Sequence, residues 1–157
     1  MILLSDAVLI TGSSHRGSKD TTELYVPSTG VSCTLPDIPP LNIGSGVYYH
    51  TLDSGLICGG YYTYDLCLKW KTDTGTWEEY ITLDVWRYDH VSWTPSPDIG
   101  TYLIGGHVRK NLGNDNDAGN TTTLIKPDGT QEPGFPLKYS STLIYSDGYV
   151  YCTYNSF

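Results

Sequence analysis

Residues 67–80 read CLKWKTDTGTWEEY, a polar run Thr72-Asp73-Thr74-Gly75 set between Trp70 and Trp77, seven positions apart. Asp and Gly tolerate the tight backbone of a turn. Aromatic and aliphatic residues on either side suit a pleated, half-buried surface. The stretch therefore predicts a strand, a turn and a returning strand. Such a turn serves either as part of a carbohydrate-processing repeat or as plain scaffold, and recurrence along the chain separates the two.

Sliding the sequence against itself aligns Leu9-Ile10-Thr11-Gly12-Ser13 with Leu56-Ile57-Cys58-Gly59-Gly60, Tyr102-Leu103-Ile104-Gly105-Gly106 and, loosely, Val150-Tyr151-Cys152-Thr153-Tyr154, at offsets of 47, 46 and 48. A period of this size, built from short apolar runs and Gly pairs, is that of a propeller with one four-stranded blade per repeat. A second anchor follows each: Thr22-Glu23-Leu24-Tyr25-Val26-Pro27-Ser28-Thr29-Gly30, then Leu68 to Trp77, then Thr123-Leu124-Ile125-Lys126-Pro127-Asp128-Gly129.

This ordered set resembles the kelch repeat, in which an apolar strand ends in Gly-Gly and leads to an aromatic, a Pro-x-Thr-type turn and a Trp seven residues after the aromatic. Trp70 and Trp77 have that spacing; Tyr25, Pro27 and Thr29 fit with Ser32 in the Trp position, and the third copy lacks both aromatics. The resemblance extends over essentially the whole chain. The competing sialidase-type Asp box needs Ser or Thr two residues before the Asp and an aromatic three after the Gly. Lys71 and Trp77 miss it at both ends. The turn reads as scaffold.

Composition agrees. A chain of 157 residues with 39% hydrophobic and 17% charged content can bury a core. Its 17 Gly, 9 Pro and 14 Tyr favour strands and turns over helices. The formal net charge of −8 repels a phosphate backbone, so nucleic acid is excluded as a partner class. Asp6 interrupts the opening apolar run MILLSDAVLI, and no basic segment precedes it, so neither an export signal nor a membrane span is expected.

The expected fold is all-β: residues 1–157 form a single partial propeller domain, an arc of about three to four four-stranded antiparallel blades. Gly-pair strands are expected near 7–12, 55–60, 101–106 and 149–154, with following strands near 21–26, 65–70 and 121–126. Outer strands fall near 31–35, 77–83 and 131–137, and blade-opening strands near 46–51, 88–94 and 141–146. By this count the first strand of the first blade and the last strands of the fourth are missing, as in a fragment of a six- or seven-bladed protein.

Cys33, Cys58, Cys67 and Cys152 contain no Cys-x-x-Cys pair, which leaves a structural zinc site unsupported. A hairpin centred near Tyr62 and Thr63 would set Cys58 opposite Cys67, either as a disulfide or as two buried thiols. Invertebrate kelch-like proteins of extracellular type are similar at Ser32-Cys33-Thr34-Leu35-Pro36 and Cys58-Gly59-Gly60, which implies Cys33–Cys58 as the alternative bond. Asn120-Thr121-Thr122 is a glycosylation sequon. Paired cysteines favour an extracellular location over a cytoplasmic one.

His15, His50, His90 and His107 share no metal-binding spacing, and the resemblance implies that His50 and His90 are hydrogen-bonded structural residues. Copper radical oxidases similar to galactose oxidase use a kelch-type propeller with Tyr, His and Cys at the metal, yet no residue here matches that site individually. A glycosidase needs two carboxylates at a set separation in one pocket, and the acids here are scattered over turns. The expectation is a non-catalytic module without cofactor that binds a protein or glycan, with the oxidase or another glycan-active propeller enzyme as the alternative. The longest inter-strand stretch, residues 107–120, is expected to be a solvated loop.

Overall fold

The computed structural model describes residues 2–3, 6–11, 21–38, 47–51, 54–60, 65–88, 90–109, 116–118, 121–137, 142–146 and 149–153. These hold strands β1 (Ile2–Leu3), β2 (Val8–Thr11), β3 (Thr22–Val26), β4 (Val31–Leu35), β5 (Val47–Thr51), β6 (Ser54–Cys58), β7 (Leu66–Lys71), β8 (Thr76–Thr82) and β9 (Trp86–Tyr88). Then come β10 (Val91–Ser96), β11 (Gly100–Ile104), β12 (His107–Arg109), β13 (Asn116–Ala118), β14 (Thr122–Ile125), β15 (Gln131–Pro133), β16 (Thr142–Ser146) and β17 (Tyr149–Thr153). No helix occurs among the described residues.

Three four-stranded antiparallel sheets follow one another, β1-β2-β3-β4, β5-β6-β7-β8 and β10-β11-β14-β15, and β16 pairs with β17. The first strands of these sheets stand side by side in chain order, β1 by β5, β5 by β10 and β10 by β16. That is a propeller-like arrangement: each sheet radiates from a shared row of inner strands and packs its faces against its neighbours.

Alternation along the middle strands supplies both cores. In β6 and β7, Ile57, Leu68 and Trp70 face the first sheet, where together with Trp77 of β8 they meet Leu9 and Ile38. Their neighbours Leu56, Cys58 and Cys67 face the third sheet and pack with Leu83, Leu103 and Ile125. A strand covered on both faces reads as a continuous apolar run, which is why Leu56-Ile57-Cys58 shows no polar alternation.

The quoted turn joins two directly paired strands. Trp70 and Trp77 are direct cross-strand partners, their rings edge to face at 5.4 Å, and Gly75 N–H donates to Lys71 O at 2.8 Å. Trp77 Nε1 reaches across to Thr22 Oγ1 of the first sheet at 3.1 Å, a bond between buried groups.

The structure departs from the sequence expectations in four places. The first sheet is not short of its opening strand, because Ile2 and Leu3 pair with Leu9 and Val8. The opening strand of the third sheet starts at Val91 rather than 88, since residues 86–88 are taken by β9. The outer strand of that sheet stops at Pro133 instead of reaching 137, as Pro133 and Pro136 have no N–H for a ladder. Residues 107–120 are not simply loop: β12 pairs with β13 and with β9 in a three-stranded sheet.

Candidate functional site

The chain passes from β8 of the second sheet to β10 of the third through residues 83–90, and both Gly pairs close on this crossing. Gly60 N–H donates to Arg87 O at 3.1 Å, and a Cβ on Gly59 would overlap that carbonyl. A Cβ on Gly106 would lie 2.5 Å from Tyr88 O and 2.8 Å from the Cα of His90. With φ of 63° at Gly59 and 78° at Gly106, both positions need glycine twice over, for conformation and for space.

Arg87 is completely buried. Its Nη1 donates to Gly105 O at 2.7 Å and Thr121 O at 3.1 Å. Its Nη2 donates to Thr121 Oγ1 at 3.1 Å and Thr123 Oγ1 at 3.0 Å. Burial lowers its pKa to about 10, which leaves it charged at neutral pH. His90 is buried beside it, and among the described residues neither ring nitrogen has a hydrogen-bond partner. Burial first, and the Arg87 charge second, lower its pKa to about 3. The hydrogen bonds that the resemblance implied for His90 are not found among the described residues.

Two clefts open at opposite ends of the seam between the second and third sheets. One, of about 220 Å³, lies over the crossing and is lined by Asp84, Arg87, Thr121, Thr123, Gln131 and Glu132. Gln131 ties its two walls together, accepting from Asp84 N–H at 3.1 Å and donating to Thr82 O at 2.8 Å.

The other, of about 240 Å³, lies among the hairpin turns and is lined by Gly55, Leu56, Lys69, Tyr80, Pro97, Gly100, Thr101, Ile125, Lys126 and Pro127. Tyr80 OH donates to Pro127 O at 3.2 Å across the seam, and Lys69 Nζ stands 5.2 Å from the centre of the Tyr80 ring. Burial, and after it Asp128, raises the Tyr80 pKa and keeps the phenol a donor. Lys126 pairs with Glu132, and that hydrogen bond first raises the lysine pKa.

Cys58 and Cys67 form a disulfide with Cα atoms 4.0 Å apart. Gly59 N–H bonds to Leu66 O, which makes Cys58 and Cys67 the adjacent non-hydrogen-bonded pair, the closer of the two antiparallel pairings. The separation falls below both the usual disulfide range and the ordinary spacing of such a pair. Cys33 is an exposed free thiol, so the alternative Cys33–Cys58 bond does not form.

Chain similarity supports the fold. No protein-family profile and no curated protein matches the chain. Among matching solved structures is one titled "Structure of YjhT", similar with a TM-score of 0.64 at 11% identity over 87% of this chain. The chain spans 51% of that one. At this identity the likeness is one of fold.

Of the remaining residues singled out in the sequence, Pro127 borders the turn-side cleft, whereas Pro27 is exposed in the first turn. Tyr25 occupies the position of Trp70 but is 37% exposed. Gly12 and Asn120 lie outside the described residues. Among the described residues no three of His, Cys, Asp and Glu converge as metal ligands, and no helix is long and apolar enough to cross a membrane. Lys69, Tyr80, Lys126 and Arg87 were not foreseen. Arg87 sits three residues before His90 in RYDHVSW, and that proximity was its one signal.

Proposed function

We propose that this chain is a non-catalytic binding module, an arc of kelch-type propeller blades that presents its hairpin turns and seam clefts to an extracellular protein or glycan. The observation that carries this reading is the turn-side cleft, framed by the 97–99 and 126–130 turns on a scaffold whose neighbouring sheets are bonded to each other. Turns held on a rigid scaffold are a common means of binding partners. The kelch assignment rests on the directly paired Trp70 and Trp77, the Gly59-Gly60 and Gly105-Gly106 pairs closed on the crossing, and the ordered inner strands. The buried Cys58–Cys67 bond supports an oxidising compartment.

The test is to immobilise the chain and measure binding to a glycan array and to a panel of purified secreted proteins. Hydrogen peroxide release from galactose is followed in parallel with added copper. Saturable binding without turnover is expected. Peroxide formation would replace this reading with the oxidase alternative, and absence of binding in both panels would remove it.

A further inference from the structure

Charge in the turn-side cleft runs against the charge of the chain. The protein has 17 acidic residues against 9 basic ones, yet the ionisable side chains lining this cleft are Lys69, Tyr80 and Lys126, with no carboxylate among them. Lys126 is answered by Glu132. Lys69 is half-buried with its ammonium over the Tyr80 ring, and no carboxylate of the described residues pairs with it. Beside it Lys71, two residues on along the same strand, does take such a partner, Glu78, at 2.6 Å.

The floor adds a neutral donor. Thr101 is buried at 2% exposure, and its Oγ1 accepts from Thr94 Oγ1 at 3.2 Å, which leaves its own hydroxyl hydrogen to be donated. Tyr80 is held as a wall by its bond to Pro127 O, while Leu56, Pro97 and Ile125 make the rest of the lining apolar. The cleft thus offers an ammonium and a hydroxyl donor beside an aromatic and aliphatic slot.

We propose that this cleft binds a small organic carboxylate, its anionic head on Lys69 and Thr101 and its apolar body against Tyr80 and Leu56. A charge-assisted bond to a half-buried ammonium is stronger than a neutral one. The 240 Å³ available is the share of roughly eight water molecules, so the ligand is an acid of about that many heavy atoms. The cleft over the crossing does not compete for this ligand, because Asp84 and Glu132 line it and both terminal nitrogens of Arg87 are already bonded. The inference names a ligand for the same cleft that carries the binding-module reading and rests on that cleft, not on a protein or glycan partner.

Sodium benzoate is the probe and benzamide its uncharged control, each titrated into the whole chain at constant ionic strength with thermal unfolding and amide NMR as readouts. Benzoate is expected to raise the melting temperature saturably, with shifts centred on Gly100, Thr101 and Tyr80, and benzamide to do neither. Lys69→Met should weaken benzoate about tenfold or more, the loss of one charge-assisted contact, and Lys71→Met should leave it unchanged. Equal effects of benzoate and benzamide, shifts elsewhere on the chain, or unaltered benzoate binding by Lys69→Met would each overturn the proposal. The wild-type shift map decides the matter without any variant should Lys69→Met not fold. Failure here alongside capture of a glycan or protein would leave the binding-module reading standing.

Discussion

The backbone N–H of Gly60 donates to the carbonyl of Arg87 at 3.1 Å, while the guanidinium of the same arginine holds the carbonyl of Gly105 at 2.7 Å. One residue therefore joins the Gly pair of the second sheet to the Gly pair of the third. The close approach explains why glycine recurs here at the repeat period.

Substituting Gly59 by Ala should be far more costly than substituting Gly30. Both have positive φ, but a Cβ at Gly30 meets nothing within 4 Å whereas at Gly59 it overlaps Arg87 O. Urea unfolding should give about 1 kcal/mol for Gly30→Ala from backbone conformation alone, and at least twice that for Gly59→Ala. Similar values for the two would mean that the crossing segment relaxes freely.

Arg87→Met should destabilise the protein by about 2–4 kcal/mol, since it takes the guanidinium donor from the carbonyl of buried Gly105 and from the hydroxyl of buried Thr123. Arg87→Lys should restore only part of this, because an ammonium cannot span the acceptors that the planar guanidinium reaches. Chemical denaturation of the two variants checks the order.

Stability should fall on mild acidification. His90 has a folded pKa of about 3, below its unfolded value, so between about pH 6.5 and 3 the unfolded chain binds the extra proton. Its contribution is complete above about pH 6.5 and is lost as pH decreases, at up to about 1.4 kcal/mol per pH unit. His90→Asn should flatten the pH dependence between 6.5 and 4.5, above the range where carboxylates add their own slope. A slope unchanged by this substitution would assign the acid sensitivity elsewhere.

Alkylation without reductant should label Cys33 at once and spare Cys58 and Cys67, which are buried and bonded to each other. A non-reducing peptide map should recover a peptide linked between these two residues. The bond closes a loop with a sequence separation of 9, for which chain entropy gives a stabilisation of about 2–3 kcal/mol. Free Cys58 and Cys67 in secreted material would contradict the pairing.

Trp77→Phe combined with Thr22→Val in a double-mutant cycle should reveal a coupling of about 1 kcal/mol, the worth of one buried hydrogen bond. No coupling would show that apolar contact alone joins the first two sheets.

The period of the Gly pairs and the strands around them were legible because each apolar run must lie between two layers. The pairing of Cys58 with Cys67 followed from the hairpin. By contrast β12 and β13 carry short polar segments, His107–Arg109 and Asn116–Ala118, whose partners are fixed by tertiary position rather than by alternation. Arg87 was hard to see for another reason: beyond its proximity to His90, two of its acceptors are main-chain carbonyls, which leave no mark in a sequence. The cleft was equally hidden, since Lys69 and Tyr80 meet Thr101 and Pro127 only once neighbouring sheets pack.

The crossing at residues 87–90 also decides how the molecule comes apart. Sheets that merely stack can fray one at a time from an end of the array. Here peeling the third sheet away must break either the Gly60 bond to the Arg87 carbonyl or the guanidinium bonds to Gly105, Thr121 and Thr123, and it unseals the disulfide face of the second sheet. The two sheets behave as one cooperative unit, and the amides of Gly60 and Gly105 should exchange with solvent at matching rates, through a single shared opening.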